Sequence, residues 1–506
     1  MTIADSVAQQ AIPEGGPTFD SLNPRTGDVA GTYPIHSEPE VRAAVERARE
    51  AARWWSALSY DAREQKLSAW KGVITRRIAQ LADVVHQDTG KPHADATLEI
   101  ALAVDHLAWA AGHAEKVLKR RRVPSGLLMA NQAATVQYVP LGVVGVIGPW
   151  NYPVFTPMGS IGYALAAGNA VVFKPSEFSP GVGRWLADTF AEVVEQPVFQ
   201  VVTGLGDTGA ALCRAGVGKL AFTGSTATGK KVMAACAETL TPVVIEAGGK
   251  DAVVVDADAD LHAAADAALW GACSNAGQTC IGVERVYVHE RVYDEFLASL
   301  VDKAKDLRAD DSPESKIGPI TMPSQLGVIR SHIDDAIAKG GRAVLGGPEA
   351  VGERFVQPTI LVDVPEDSRA VTEETFGPTV TVTRVRDMDE AVEKTNATRY
   401  GLGSTVFAKA HGMEIASRIR AGMTAVNGVI SFAGVPSLPF GGVGDSGFGR
   451  IHGPDGLKEF TYAKAIARQR FKPLLTLTSF TRTEKADGQL AQLITMLHGR
   501  GTTLPK

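Results

Sequence analysis

Cysteine is scarce in this 506-residue chain, with Cys213, Cys236, Cys273 and Cys280 as the whole complement. None shows the Cys-x-x-Cys or paired-histidine spacing of a zinc site. So few thiols suit a reduced, intracellular protein and exclude a disulfide-stapled secreted scaffold. An excess of one charge is also missing: 51 Lys and Arg stand against 56 Asp and Glu, a net charge of -5, which excludes a general attraction to nucleic acid. Residues 123–173 hold no Asp, Glu, Lys, Arg or His, yet they are no membrane span. Pro124, Pro140, Pro149, Pro153 and Pro157 interrupt them, and no unbroken apolar run nears the ~18 residues a spanning helix needs. Residues 1–16 carry Asp5 and Glu14 without a basic start or apolar run, so a flexible lead-in is expected rather than a signal peptide, and a cytoplasmic location with it.

What is present is a globular composition, 45% hydrophobic and 21% charged, long enough for two or more domains. Apolar residues recur at helical spacing over 38–58 and 61–89, as in Val41, Ala44, Val45 and Ala48, predicting amphipathic surface helices. After Tyr138 short Val, Ile and Phe runs alternate with helical segments, at 143–147, 170–173, 199–202, 219–222 and 243–245. Strand alternating with helix implies a parallel sheet covered on both faces. A second series at 252–255, 285–288, 359–362 and 380–385 reads as a second α/β domain, joined to the first by a tight turn at Gly248 and Gly249 with a cleft between them. No internal repeat or low-complexity tract occurs. The tail from Lys464 is cationic, with Lys464, Arg468, Arg470, Lys472, Arg482, Lys485, Arg500 and Lys506 against Glu484 and Asp487. A solvated edge strand with a loose end is expected there; the rival is an interfacial membrane contact through Phe471, Leu474, Leu475 and Phe480.

Phosphates bind where a strand turns into a helix N-terminus, because free backbone N–H groups and the helix dipole both favour anions. Gly204 to Gly209 and Gly442 to Gly447 both match Gly-x-Gly-x-x-Gly, but 52 glycines make chance matches expected. The turn Phe222-Thr223-Gly224-Ser225 ends a strand before a helix that Ser225 is placed to cap, with a bound phosphate or simply as an ordinary cap. Lys174-Pro175-Ser176-Glu177 sets a cation and a carboxylate at a spacing suited to sugar hydroxyls, or to plain solvated charge. Cys280 has a polar, glycine-containing approach through Ser274-Asn275-Ala276-Gly277-Gln278-Thr279, unusual for a core thiol. Glu246 ends an apolar strand just before Gly248-Gly249, and a carboxylate held there needs a partner or a raised pKa, which makes it a candidate base. Asn151 offers an amide donor after another strand, where asparagine ordinarily only forms a turn.

Taken in order, these segments resemble the aldehyde dehydrogenase superfamily over roughly residues 23–466. The resemblance rests on Pro149-Trp150-Asn151, Lys174-Pro175-Ser176-Glu177, Phe222-Thr223-Gly224-Ser225, Glu246 with Gly248-Gly249-Lys250, Gly277-Gln278-Thr279-Cys280, Glu374-Thr375-Phe376-Gly377-Pro378 and Pro439-Phe440-Gly441-Gly442, and on the 34 positions (280 − 246) between Glu246 and Cys280. It implies an α/β fold: a Rossmann-like cofactor domain at 1–119 and 140–247, a catalytic domain at 248–446, and a β oligomerisation arm at 120–139 and 461–471. Residues 472–506 form an extension without an assigned role. It further implies Cys280 as nucleophile, Glu246 as base for water, Asn151 with the Cys280 backbone N–H as oxyanion donors, and Lys174 beside them. For the cofactor it implies Lys174 and Glu177 at the adenine ribose, Gly206 and Gly209 near the adenine, and Trp150 and Ser225 at the pyrophosphate. Glu374 is implied at the nicotinamide ribose with Phe376 packing nearby, and Ile147, Phe222, Gly224, Thr228 and Ala247 complete the expected binding set. A carboxylate at Glu177 repels a 2′-phosphate, so NAD is expected, with NADP the alternative. Exposed arm edges imply a homodimer or homotetramer.

For the substrate, Gly159 and Gly434 stand where many relatives carry bulky residues, and Phe155, Phe432 and Leu438 are apolar. A roomy hydrophobic tunnel for medium-chain or aromatic aldehydes is expected. No arginine lies within 149–159 or 431–439, which speaks against a semialdehyde needing a carboxylate anchor. The rivals are a semialdehyde dehydrogenase, a CoA-acylating enzyme, an esterase using Cys280 without redox chemistry, or a non-catalytic member, in which the nucleophile is commonly lost. Cys273 is the next candidate nucleophile.

Overall fold

The computed structural model describes residues 16–312, 314–473, 478–499 and 501. Two compact units emerge, one formed by the chain up to Leu118 with Val139–Tyr462, the other by Lys119–Tyr138 with the chain from Ala463.

The larger unit holds two large sheets and an antiparallel pair, Thr18–Leu22 with Val29–Pro34. The first has six strands in the order Gly447–Phe448, Val243–Ala247, Lys219–Gly224, Val143–Ile147, Ala170–Lys174, Phe199–Val201. All neighbours are parallel except the two-residue edge strand, which pairs antiparallel with Val243–Ala247. Its strands are apolar on both faces because helices cover both: Val144, Ala170, Val171, Val172 and Leu220 have no exposed surface. The strand order reverses on either side of Val143–Ile147, so its C-terminal end and that of Lys219–Gly224 flank a crevice, the place where such sheets take ligands. The expected helix over 61–89 is two helices, Tyr60–Arg76 and Ile78–Thr89, broken at Arg77. The first helix, Glu38–Ala57, starts from a reciprocal Ser37–Glu40 capping box.

The second sheet has seven strands, in the order Arg342–Leu345, Thr359–Val362, Thr379–Val385, Val283–His289, Asp251–Val255, Ser404–Phe407, Ala425–Val426, with only the first pair antiparallel. Val253, Val255, Val286 and Val288 face one buried layer while Ala252, Val254 and Tyr287 face the other, the period of two expected of a sheet covered twice.

In the smaller unit, Arg121–Val123, Gln132–Pro140 and Thr461–Gln469 make a three-stranded sheet with Gln132–Pro140 in the middle. The tail departs from the expected loose end. Glu484–His498 is a helix whose cap, Thr483, accepts from the Ala486 N–H, and none of its side chains is buried. Of the apolar residues singled out in the tail, Leu474 and Leu475 lie outside the described residues, and Phe471 and Phe480 are exposed.

Candidate active site

Strand ends of the first sheet supply one wall. Ile147 ends its strand, and Gly148 then turns the chain, its N–H donating to the Lys174 carbonyl at 3.1 Å. A Cβ on Gly148 would sit 2.7 Å from Pro157 and 2.8 Å from Phe173, so only glycine lets the turn close. Asn151 follows, 5% exposed, its Nδ2 donating to the Gln278 carbonyl at 3.0 Å. An amide carries two N–H groups, so one remains free to donate. Lys174, at the next strand end, is buried, donates to the Pro175 carbonyl at 3.0 Å and lies 3.6 Å from the Glu177 carboxylate. Burial pulls its ammonium below the usual lysine range, and Glu177 offsets this. Ser225 caps Thr226–Ala237, accepting from the Thr228 N–H at 3.3 Å.

Loops leading into the second sheet supply the opposite wall. Asn275, Ala276 and Gly277 take left-handed φ values of 51, 57 and 72° in succession, a strained turn that needs outside support. Gln278 gives that support: its Nε2 donates to the carbonyls of Asn275 (3.0 Å) and Pro319 (3.2 Å), and its Oε1 accepts from the Thr321 N–H at 2.8 Å. The Asn275 amide donates in turn to the Asn151 carbonyl at 3.0 Å, stitching the two walls together. A Cβ on Gly277 would lie 2.2 Å from the Gly377 backbone, which makes glycine obligatory there. Glu374 accepts from the Gly249 N–H at 3.1 Å, and burial raises its carboxyl to about 8.

Sequence reasoning missed the group that holds Glu374. Buried Glu284 accepts from the Thr375 and Phe376 N–H groups at 2.8 and 3.0 Å and pairs with buried Lys250, which also donates to the Thr375 hydroxyl. Lys250 had drawn notice only as part of a motif, and nothing local marks Glu284. Phe376, at a left-handed φ of 52°, presents its ring edge-on to Trp150, with centroids 5.5 Å apart.

Cys280 and Glu246 meet between these walls. Glu246 is the next-to-last residue of Val243–Ala247, 3% exposed, and neither carboxylate oxygen has a hydrogen-bond partner among the described residues. Burial raises its carboxyl to about 7, only partly offset by the Cys280 thiol and the Thr223 hydroxyl. Cys280 is half-buried, and burial together with the Glu246 carboxylate pushes its thiol up. Nucleophile and base therefore hold one another's proton in check. Cys273, by contrast, is buried in the core of the second sheet, away from this site.

All the residues expected at the site line one cavity of about 790 Å³: Cys280, Glu246, Asn151, Lys174, Ile147, Trp150, Glu177, Gly206, Gly209, Phe222, Gly224, Ser225, Thr228, Ala247, Glu374 and Phe376. A dinucleotide fits the small-residue part of this wall. A Cβ on Gly206 would meet nothing within 4 Å, and one on Gly209 only Lys174 and Ile147 at 3.7 and 3.8 Å, leaving a slot for a flat ring. Among the described residues no cluster of three or more His, Cys, Asp or Glu could hold a metal ion.

On its other side Cys280 opens into a narrow tunnel of about 80 Å³ lined by Leu98, Leu102, Tyr152, Phe155, Trp270, Ile281, Ile430, Ala433 and Phe440, with Asp95 and Glu99. The expected roominess is corrected here. The space beside Gly159 is filled, because a Cβ there would lie 2.5 Å from His452 Nε2 and 2.9 Å from Ile451. Neither Gly159 nor Gly434 lines the tunnel. Phe155 does line it, whereas Phe432 is buried toward Gly403 and Leu438 is exposed.

The aldehyde dehydrogenase family model matches residues 12–466. A 4,4'-diapolycopene aldehyde oxidase from Methylomonas sp is 36% identical over 450 residues, covering 88% of this chain and 84% of that protein. A glutarate-semialdehyde dehydrogenase from Pseudomonas aeruginosa is 35% identical over 474 residues, covering 90% and 97%. Among solved structures, an NAD-dependent aldehyde dehydrogenase from Sinorhizobium meliloti aligns with a TM-score of 0.87 at 34% identity, covering 91% of this chain and 93% of that one.

Proposed function

This chain belongs to the aldehyde dehydrogenase family and is an NAD(P)-dependent oxidoreductase acting on aldehydes, and from that premise we propose that it turns apolar aldehydes into carboxylic acids through a thioester at Cys280. The observation that carries this reading is the meeting of a half-buried thiol and an unpartnered, buried carboxyl near 7 in one cavity. Glu246 takes the thiol proton, and the Cys280 sulfur bonds the carbonyl carbon. The second N–H of Asn151 and the Cys280 backbone N–H hold the oxyanion that forms. The dinucleotide, when bound, accepts the hydride. Glu246, having passed the thiol proton to solvent, removes a proton from the water whose oxygen bonds the thioester carbon as the C–S bond breaks and the Cys280 thiolate leaves, so the product is the free acid rather than an acyl-CoA.

Lys174 and Glu177 would hold the adenine ribose, Ser225 and Trp150 the pyrophosphate, and Glu374 the nicotinamide ribose. Glu177 in place beside Lys174 cancels the cation that a 2′-phosphate would seek, which favours NAD over NADP. The tunnel's apolar lining and small bore favour medium-chain or single-ring aromatic aldehydes over a semialdehyde such as the Pseudomonas relative's name specifies. The domains divide near Gly248, where the first sheet hands over to the second. The exposed edge strands of the smaller unit, with Leu127, Leu128 and Met129 at its surface, support a homodimer or homotetramer. Four free thiols favour a cytoplasmic setting; among the described residues no helix is long and apolar enough to cross a membrane.

Rapid-quench mass spectrometry with NAD and hexanal tests the central step. An acyl adduct on the peptide bearing Cys280 is expected, and its absence at every quench time overturns the thioester route.

A further inference from the structure

The tunnel between Cys280 and the outside carries a charge that the apolar reading does not require. Its lining includes two carboxylates, Asp95 and Glu99, and no Lys, Arg or His. Glu99 is neutralised. It pairs with Lys91 in a fully buried ion pair and accepts from the Val154 and Phe155 N–H groups at 2.7 and 3.0 Å. Lys91 has no reach to spare, since its ammonium also sits 3.9 Å over the Tyr152 ring. Asp95 takes part in no ion pair within 4.0 Å among the described residues: burial raises its carboxyl, Lys91, already paired with Glu99, acts on it from farther off, and its polar neighbour is the Asn275 backbone N–H. At alkaline pH one negative charge is left there, only partly compensated, in a low-dielectric passage.

Its position matters more than its presence. Asp95, Trp270 and Ser274 line both the tunnel and a larger chamber of about 910 Å³ outside it. The chamber's cations include Arg25, which donates to the Gly90 carbonyl at 3.0 Å, and Lys303, held by Asp266 at 3.4 Å. Asp266, Asp311 and Glu314 line the same chamber and match these cations, so it offers an anion no net attraction, and the way inward passes Asp95. At the inner end the Tyr152 hydroxyl feels Asp95, Glu99 and Cys280 together, so a short chain bound to the sulfur would hold its far end within range of the Asp95 field.

Resting on the proposed aldehyde oxidation, we propose that Asp95 is a specificity-determining residue that rejects aldehydes bearing a carboxylate, so that this chain discriminates against the semialdehyde class. Specificity is a difference of affinities, and an unpaired like charge lowers one of them without touching the other. A carboxylate some 6 to 8 Å from Asp95, at an effective dielectric of about 20, loses roughly thirty- to a hundred-fold in binding before salt screening trims it.

The test compares succinate semialdehyde with 4-methylpentanal, its uncharged isostere, by steady-state kinetics on the intact protein at alkaline pH. Wild type should favour the isostere by at least about tenfold in kcat/KM. Asp95→Asn should shrink that ratio about tenfold, mainly by lowering KM for the semialdehyde, while kcat/KM for the isostere stays within about threefold. Asp95→Glu should restore the discrimination, which a merely structural bond to Asn275 would not predict. An unchanged ratio in Asp95→Asn overturns the proposal, as does a wild-type preference for the semialdehyde. If Asp95→Asn proves unstable, the wild-type and Asp95→Glu ratios still decide, and equal handling of both aldehydes by either protein overturns it. Failure of wild type to oxidise either aldehyde with NAD sinks the oxidation reading itself, an outcome separate from an unchanged ratio.

Discussion

The two spaces that meet at Cys280 are built by opposite means. The large cavity is made of backbone: strand ends at Ile147, Lys174, Gly224 and Ala247, a capped helix start, and glycines where any Cβ would collide or fill the slot. The tunnel is made of side chains from helices and loops far apart in the chain, Asp95 to Leu102, Tyr152 to Thr156, Trp270 to Ile281, and Ile430 to Phe440. A backbone site tolerates little and serves one ligand; a side-chain site can change its preference one residue at a time. Substitutions at the seam should therefore abolish turnover, and substitutions in the tunnel should only redirect it.

The largest effect is expected at the sulfur. Cys280→Ala should drop NADH production at least about 10⁴-fold, as removal of a covalent nucleophile does, while dinucleotide affinity, read by fluorescence titration, stays near wild type. Retained turnover would move the nucleophile elsewhere and erase the seam.

Next comes the carboxyl facing it. Glu246→Gln should lower steady-state turnover by about 10³, within the span for a lost general base, and slow the first turnover of NADH as well, because the same carboxylate takes the thiol proton. Water activation needs the ionised form, and burial has raised this carboxyl to about 7. Thioester hydrolysis should rise about tenfold per unit up to pH 7 and level off above it. The same raised value costs stability in the other direction: from the ordinary carboxyl value of 4.5 up to about 7 the unfolded chain has given up the proton that the folded state still holds, so the folded state loses ground across that range and levels off above it. Glu246→Gln should remove that loss, visible as a smaller fall in Tm between pH 4.5 and about pH 7. A pH profile flat through 7 would assign the base to another group.

Third is Gly277→Ala. Here the added methyl meets the Gly377 backbone at 2.2 Å and the residue sits at φ 72°, so the loop must shift. Displacement of a nucleophile by about 1 Å costs about 10² in rate, and kcat should fall accordingly with a lower Tm. A fully active variant would show that the turn is not what aims Cys280.

The same division explains what could be read in advance. Five of the six strands of the first sheet were legible because parallel, twice-covered strands are short apolar runs bounded by turns, and their ends carry the motifs; the two-residue edge strand Gly447–Phe448 was not. Arg342–Leu345, Ser404–Phe407 and Ala425–Val426 escaped notice in the second sheet: one begins with arginine, one with Ser404 and Thr405, and one is two residues long. The large cavity is lined by short runs that stand whole in the sequence, 147–151, 174–178, 222–225 and 246–248. Asp95, by contrast, lies 185 positions (280 − 95) from Cys280, and Glu284 supports Glu374 from another strand. Gly159 invited an inference from absent bulk, but emptiness is a property of packing, and His452 comes from the far end of the chain to occupy it.

That correction supplies the smallest and most discriminating test. The ring of His452 lies 5.4 Å from Phe155 and 5.5 Å from Phe440, centroid to centroid, and both phenylalanines line the tunnel. Its backbone is already at a left-handed φ of 63° and its Nε2 has no hydrogen-bond partner among the described residues, so little but packing fixes where the ring sits. Gly159→Ala would place a carbon 2.5 Å from that nitrogen, and relief comes by pushing the ring toward the two phenylalanines. Overpacking of this kind costs about 1 to 3 kcal/mol, and some of it should appear as a narrower bore. KM for benzaldehyde should rise several-fold, with KM for straight-chain hexanal, kcat and dinucleotide affinity nearly unchanged. Were Gly159 instead open to the tunnel, its methyl would add apolar contact for hexanal and lower that KM, so the direction of the two KM shifts decides which wall this glycine belongs to.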